Sequence, residues 1–299
     1  MIDLNSISIN FDQNQVVLLN ICLGFLMFGV ALDLKLSDFN YVIGNKKSVF
    51  AGLISQWILL PILTLILVWL FRPEYSIALG MILIASCPGG NVSNYAVHLS
   101  GANVALSVVL TMISTILCAL TTPLIFAQLR KFIPEGHAGD IVFDISFTDM
   151  ISTIFQLILL PLLLGFICVN FFPILTGKIK GIIKKLSLLI FIGFVIVAVA
   201  GNLDNLLNYL GLVFFIVLVH NGLALAMGYF FSSLVMQLPF RDSKAISIET
   251  GIQNSGLALI LIFNFFDGMG GMALIAAWWS VWHLISSLTM AAWWKHRAK

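Results

Sequence analysis

Nine apolar runs, each near the length that crosses a bilayer, recur along the chain at 15–34, 47–71, 76–98, 102–127, 150–172, 183–201, 208–236, 243–266 and 271–294. A helix needs about 20 apolar residues to span a hydrocarbon core of about 30 Å. In lipid the backbone can satisfy its own polar groups only as a helix or a closed barrel. The runs therefore predict an all-α polytopic membrane protein with nine transmembrane helices. Composition agrees, since 60% of the residues are hydrophobic and 9% charged, against roughly a quarter charged in soluble domains. The net charge of +2 leaves no footprint for nucleic acid, and the partner that composition does imply is the lipid bilayer.

An odd number of helices leaves the termini on opposite sides. With the N-terminus outside, Lys35, Lys46, Lys47, Lys178, Lys180, Lys184, Lys185, Arg241, Lys244, Lys295, Arg297 and Lys299 all fall on inner connections, and only Arg72, Arg130 and Lys131 fall outside. Basic residues favour cytoplasmic loops, which predicts a multi-pass protein of the cell (inner) membrane with its N-terminus out and its C-terminus in the cytoplasm. One missed helix would scramble this alternation. Asp3 and Asp12 precede the first run without any Lys or Arg, so that run lacks the basic n-region of a secretory signal and reads as a retained span. Cys22, Cys87, Cys118 and Cys168 sit in apolar segments at no metal spacing and read as buried thiols.

Two runs are interrupted alike. The third breaks at Cys87-Pro88-Gly89-Gly90, and the eighth breaks around Thr250-Gly251. Proline removes a backbone donor and glycine tolerates unwound geometry, while irregular backbone at membrane depth survives only inside protein or beside a cavity. Broken helices at matching places in two halves point to a transporter binding site. Helices one to four and six to nine form such halves, each with its third helix broken. With one helix between them, the second set runs opposite to the first, an inverted repeat. Pro61 and Pro161 read as kinks.

Glu249, at the head of ETGIQNSG (249–256), is the one carboxylate inside a long apolar segment when Arg241 and Lys244 are assigned to the inner connection. On that assignment no Lys or Arg shares its span. An unpaired intramembrane carboxylate costs on the order of 3 kcal/mol and is by default a functional site, so the expected partner is a cation that comes and goes. Gln56 in helix two, Ser93 and Asn94 after the first break, and Gln253, Asn254 and Ser255 after the second offer uncharged oxygens. Ser107, Thr111, Ser114 and Cys118 recur on one face of helix four. Such oxygens suit a hard monovalent cation, sodium first, and the amide-rich starts of the resumed half-helices favour an anionic substrate group. Cation and anion together imply symport.

Plainer readings stand beside these. Ser107, Thr111 and Ser114 can bond back to their own helix, Gln56 can bridge neighbouring helices, and Glu249 can be protonated. His220 and His283 read either as proton relays or substrate donors, or as neutral imidazoles joining helices. Trp293 and Trp294 beside Lys295 look like an interfacial belt.

The runs CPGGNVSN (87–94), NVALSVVLTMIST (103–115), VHNG (219–222), ETGIQNSGLA (249–258) and SVWH (280–283), with MFGVALDL (27–34), closely resemble the bile acid:sodium symporter family across almost the whole chain. The resemblance implies a core domain (47–127 and 208–294) built around two crossing discontinuous helices, and a panel domain (15–34 and 150–201). Substrate would bind between them and two sodium ions behind the crossing. Carried over by position, sodium site 1 comprises Ser93, Asn94, Ser107, Thr111 and Glu249. Site 2 comprises Gln56, Glu249 and Gln253 with the main-chain oxygens of Thr250 and Ile252. Asn91, Asn254, Ser255 and His283 fall on the substrate side. Asn91 replaces the threonine of similar bacterial members and Leu284 stands where asparagine often follows the histidine. The implied cargo is an organic anion, either a bile acid or a smaller carboxylate such as a pantoate-like or keto acid.

Starting at the second helix of the ten-span members, the chain resembles the nine-span ones. The rival within the same class is a proton-coupled carrier using Glu249 protonation. An intramembrane enzyme would need a His-Glu-x-x-His run or paired intramembrane aspartates, which the chain lacks. A channel would show more charge at its entrances.

Overall fold

The computed structural model describes residues 13–32, 40–134, 146–200 and 203–297. Asp3, Asp12, Asp33, Lys35 and Lys299 lie outside the described residues. In chain order come α1 (Gln13–Ala31), α2 (Asn40–Gly44), α3 (Lys46–Ile54), α4 (Leu60–Phe71), α5 (Tyr75–Ser86), α6 (Val92–Leu99) and α7 (Val104–Leu129). They are followed by α8 (Phe147–Ile154), α9 (Leu160–Phe171), α10 (Pro173–Ala200), α11 (Leu203–Phe230), α12 (Phe240–Gly251), α13 (Ser255–Phe265) and α14 (Gly270–Arg297). Five continuous helices among the described residues are long and apolar enough to cross a membrane: Lys46–Phe71, Val104–Phe132, Phe147–Phe171, Val213–Val235 and Gly270–His296.

Single π turns at Ser55–Leu59 and Phe155–Leu159 join α3 to α4 and α8 to α9, directly before Pro61 and Pro161. Proline cannot donate to the carbonyl four residues back and its ring crowds that carbonyl. A widened turn there relieves both and accounts for the expected distortions.

Three boundaries differ from the sequence reading. The sixth run was expected over 183–201, whereas α10 begins at Pro173. Lys178, Lys180 and Lys185 break the apolar pattern without breaking the helix, since lysine is a good helix former. The second break lies at Ile252–Asn254, just after the expected Thr250-Gly251, because Gly251 still closes the last turn of α12. Lys244, assigned to a connection, lies on α12 with Glu249 and is buried.

Packing places both broken helices at the centre. Every residue from Ser76 to Ser86 in α5 is buried, as are Ser255 and Leu257–Phe263 of α13. A helix apolar on all sides is stable only when surrounded, and α14 and α4 flank α5 while α14 also covers α13. At the edge α1 packs on α9 and α10. A side chain at Gly165 would lie 2.9 Å from the Phe28 carbonyl, so glycine lets these two helices approach closely.

Candidate functional site

The two interrupted segments cross antiparallel. Gly89 pairs with Gln253 as an isolated bridge, Gly90 N donates to Ile252 O at 2.9 Å and Asn254 N donates to Pro88 O at 2.8 Å. Each break thus supplies what the other has lost by leaving the helix, which is how unwound backbone survives away from water. The approach needs glycine. A Cβ at Gly89 would stand 3.0 Å from Gln56 Nε2 and 3.0 Å from Glu249 Oε2, and one at Gly90 would stand 3.1 Å from Gln253 O.

Glu249 is completely buried at this crossing. Ser93 and Ser107 donate to its Oε1. Thr111 Oγ1 lies 3.1 and 3.0 Å from the two carboxylate oxygens, and Gln56 Nε2 lies 3.4 Å from Oε2. These partners are all uncharged. Lys244, on the same helix, instead donates to Ser100 O at 3.3 Å and faces the Phe240 ring at 4.4 Å. Ser107 Oγ also lies 2.8 Å from Asn94 Oδ1, and its single proton can serve only one of its two acceptors. The oxygens of Ser93, Asn94, Ser107, Thr111 and Glu249 therefore converge with few protons among them.

On the other side of the carboxylate, Gln56 Nε2 donates to Glu249 O at 3.0 Å and Gln253 Nε2 to Thr250 O at 2.9 Å. Both amides thereby turn their NH₂ groups, not their carbonyl oxygens, toward these main-chain acceptors. Gln56 Oε1 and Gln253 Oε1 are buried without a hydrogen-bond partner. A buried acceptor left unmade costs about 1–3 kcal/mol, and a cation is one group that could satisfy both. Thr250 O and Ile252 O each accept one hydrogen bond and retain a second lone pair.

The residues expected on the substrate side are less closely joined. Asn91 and Asn254 stand at matching positions before α6 and α13, and Asn254 Oδ1 caps α13 by accepting from Leu257 N at 3.0 Å. Ser280 of α14 donates to Ser255 Oγ at 2.7 Å. His283, about one turn further along α14, is buried with Nδ1 unpartnered. Among the described residues no hydrogen bond joins Asn91, Asn254, Ser255 and His283 to one another. His220 joins helices, with Nε2 2.8 Å from Thr64 Oγ1 and its ring edge-on to Trp279.

Sequence reasoning passed over several residues at the crossing. Ser55 meets the Thr250 hydroxyl at 2.7 Å, and Asn221 Nδ2 donates to Gly251 O at 2.8 Å. Asn221 was visible in VHNG, but nothing in the linear chain pairs it with Gly251.

The family model described as the Sodium Bile acid symporter family matches residues 20–209. The chain is 33% identical over 282 residues to the uncharacterized sodium-dependent transporter YocS of Bacillus subtilis, covering 94% of this chain and 84% of that protein. It is 32% identical over 279 residues to the probable sodium/metabolite cotransporter BASS2, chloroplastic, of Oryza sativa, covering 87% of this chain and 64% of that one. With the corresponding BASS5 of Arabidopsis thaliana it shares 33% identity over 256 residues, 82% of this chain and 60% of the relative. The chain thus spans under two thirds of these chloroplast relatives.

Proposed function

The chain belongs to the sodium bile acid symporter family, and from that premise we propose that it is a sodium-coupled secondary active symporter of an organic anion. The observation that carries this reading is Glu249, buried among hydroxyls and amides, with Gln56 Oε1 and Gln253 Oε1 of the same crossing left unpartnered. Site 1 takes Ser93, Asn94, Ser107, Thr111 and one carboxylate oxygen. Site 2 takes Gln56, Gln253, the carbonyls of Thr250 and Ile252, and the other carboxylate oxygen. Glu249 serves both ions, so two sodium ions accompany each turn of the cycle.

Nine helices cross the membrane with the N-terminus outside, and a panel of the first, fifth and sixth moves against a core of the rest to give alternating access. The anion, a bile acid or a smaller pantoate-like or keto acid, binds on the far side of the crossing near Asn91, Asn254, Ser255 and His283. There the N-terminal ends of the resumed half-helices favour negative charge. Sodium orders the crossing, and an anion preferring the ordered form tightens sodium by the factor by which sodium tightens it. Uptake of labelled taurocholate, pantoate and pyruvate into proteoliposomes tests this. An inward sodium gradient at equal pH drives uptake of one of them. Uptake driven by a pH gradient without sodium would instead assign Glu249 to proton coupling.

A further inference from the structure

Resting on the sodium-site reading above, we propose that Asn221 is a positioning residue which, through Ser286, ties the substrate-side helix α14 to the main chain of the second sodium site. The last carbonyls of a helix have no partner within it, and α12 ends at the buried Gly251. Asn221 of α11, itself completely buried, supplies the missing donor at 2.8 Å. A carbonyl only accepts, so this contact fixes which way the amide faces. Asn221 Oδ1 therefore points to Ser286, whose hydroxyl donates to it at 2.5 Å. The His283 carbonyl, 3.3 Å from the same hydroxyl, is the more distant acceptor. Two hydrogen bonds thus run from the turn of α14 that carries His283, across α11, to the second break.

Gly251 stands between Thr250 and Ile252, whose carbonyls are the proposed main-chain ligands of site 2. The Gly251 carbonyl lies in the peptide unit joined directly to the two units that carry those oxygens, so holding it fixes the torsions at Gly251 and Ile252 through which they are aimed. Leu225, one turn along α11 from Asn221, occupies the space where a Gly251 side chain would lie, with Cγ 2.6 Å from an added Cβ. Helix α11 thereby holds Gly251 by a hydrogen bond and by close packing. A movement of α14 on binding the anion reaches the sodium ligands through this link, and sodium binding reaches α14 by the same path.

The test is a sodium titration of the purified full-length protein, read by thermal unfolding at constant ionic strength with potassium replacing sodium. Asn221→Ala raises the half-saturating sodium concentration about tenfold and Ser286→Ala about threefold, the range expected for buried hydrogen bonds. The double variant is no weaker than Asn221→Ala alone, because both changes cut one chain. Ser286→Thr, which keeps the hydroxyl, titrates near the wild type. Wild-type titration by Asn221→Ala and Ser286→Ala, or multiplying effects in the double variant, would overturn the proposal. Should Asn221→Ala fail to fold, Ser286→Ala against Ser286→Thr decides, and equal half-saturation in both overturns it. A wild type unresponsive to sodium overturns the sodium sites as well, whereas a responsive wild type with insensitive variants overturns only the positioning role.

Discussion

Helices α5 and α12 are both twelve residues long, both lead into the crossing and both are mostly buried, yet their chemistry is opposite. YSIALGMILIAS is held by shape. Leu79, Met81, Ile82, Leu83 and Ile84 are buried in the main apolar cluster, and a side chain at Gly80 would lie 2.9 Å from Met272 Cα. FRDSKAISIETG is held by paired polar groups. Asp242 accepts from Ser48 at 2.6 Å and Asn103 at 2.7 Å, Ser247 donates to Leu225 O at 2.6 Å, and Lys244 donates to Ser100 O at 3.3 Å at the C-terminal end of α6. That end is where a helix dipole favours a cation. Glu249 differs from these charges in its place, completely buried against the unwound backbone at Gly89. The contrast divides the labour: the first broken helix contributes Gly89, Gly90 and the Ser93 hydroxyl to the crossing, and the second contributes the carboxylate they surround.

The largest expected effect breaks the charged side. Glu249→Gln keeps the volume and removes the charge, so sodium-driven uptake into proteoliposomes falls about a hundredfold or more, as a loss of roughly 3 kcal/mol implies. The same variant is at least as heat-stable as the wild type without sodium, since it no longer buries an unpaired carboxylate. Next comes the shape-giving side. Gly89→Ala directs a methyl between Gln56 and Glu249, and overpacking of about 1–3 kcal/mol raises the half-saturating sodium concentration for uptake about tenfold or more.

Away from the crossing the two helices separate by readout. Leu83→Ala in α5 costs about 2–4 kcal/mol of stability through the cavity it leaves, seen as a lower melting temperature, with sodium half-saturation unchanged. Lys244→Met in α12 keeps the apolar stem and loses the contacts to Ser100 O and the Phe240 ring, which costs about 1 kcal/mol in the same melting assay.

Much of this architecture was legible because it is periodic or local. The long apolar runs, the glycine-proline break and the carboxylate of ETGIQNSG each occupy a few neighbouring positions. What escaped was long-range or masked by composition. Ser55 meets Thr250 and Ser48 meets Asp242 across about 195 residues of chain, and no spacing rule joins such pairs. Lys244 was assigned to a loop because charge reads as solvent exposure, whereas here a helix end and two aromatic rings receive it. The start of α10 was missed for the related reason that Lys178, Lys180 and Lys185 interrupt an apolar pattern without interrupting a helix.

Sodium titration of the wild type beside Glu249→Gln tests the central claim most directly. At constant ionic strength, replacing potassium with sodium raises the melting temperature of the wild type steadily as the sites fill and leaves that of Glu249→Gln where it was. Equal sodium-specific stabilisation of both proteins would place the ions elsewhere and contradict the account.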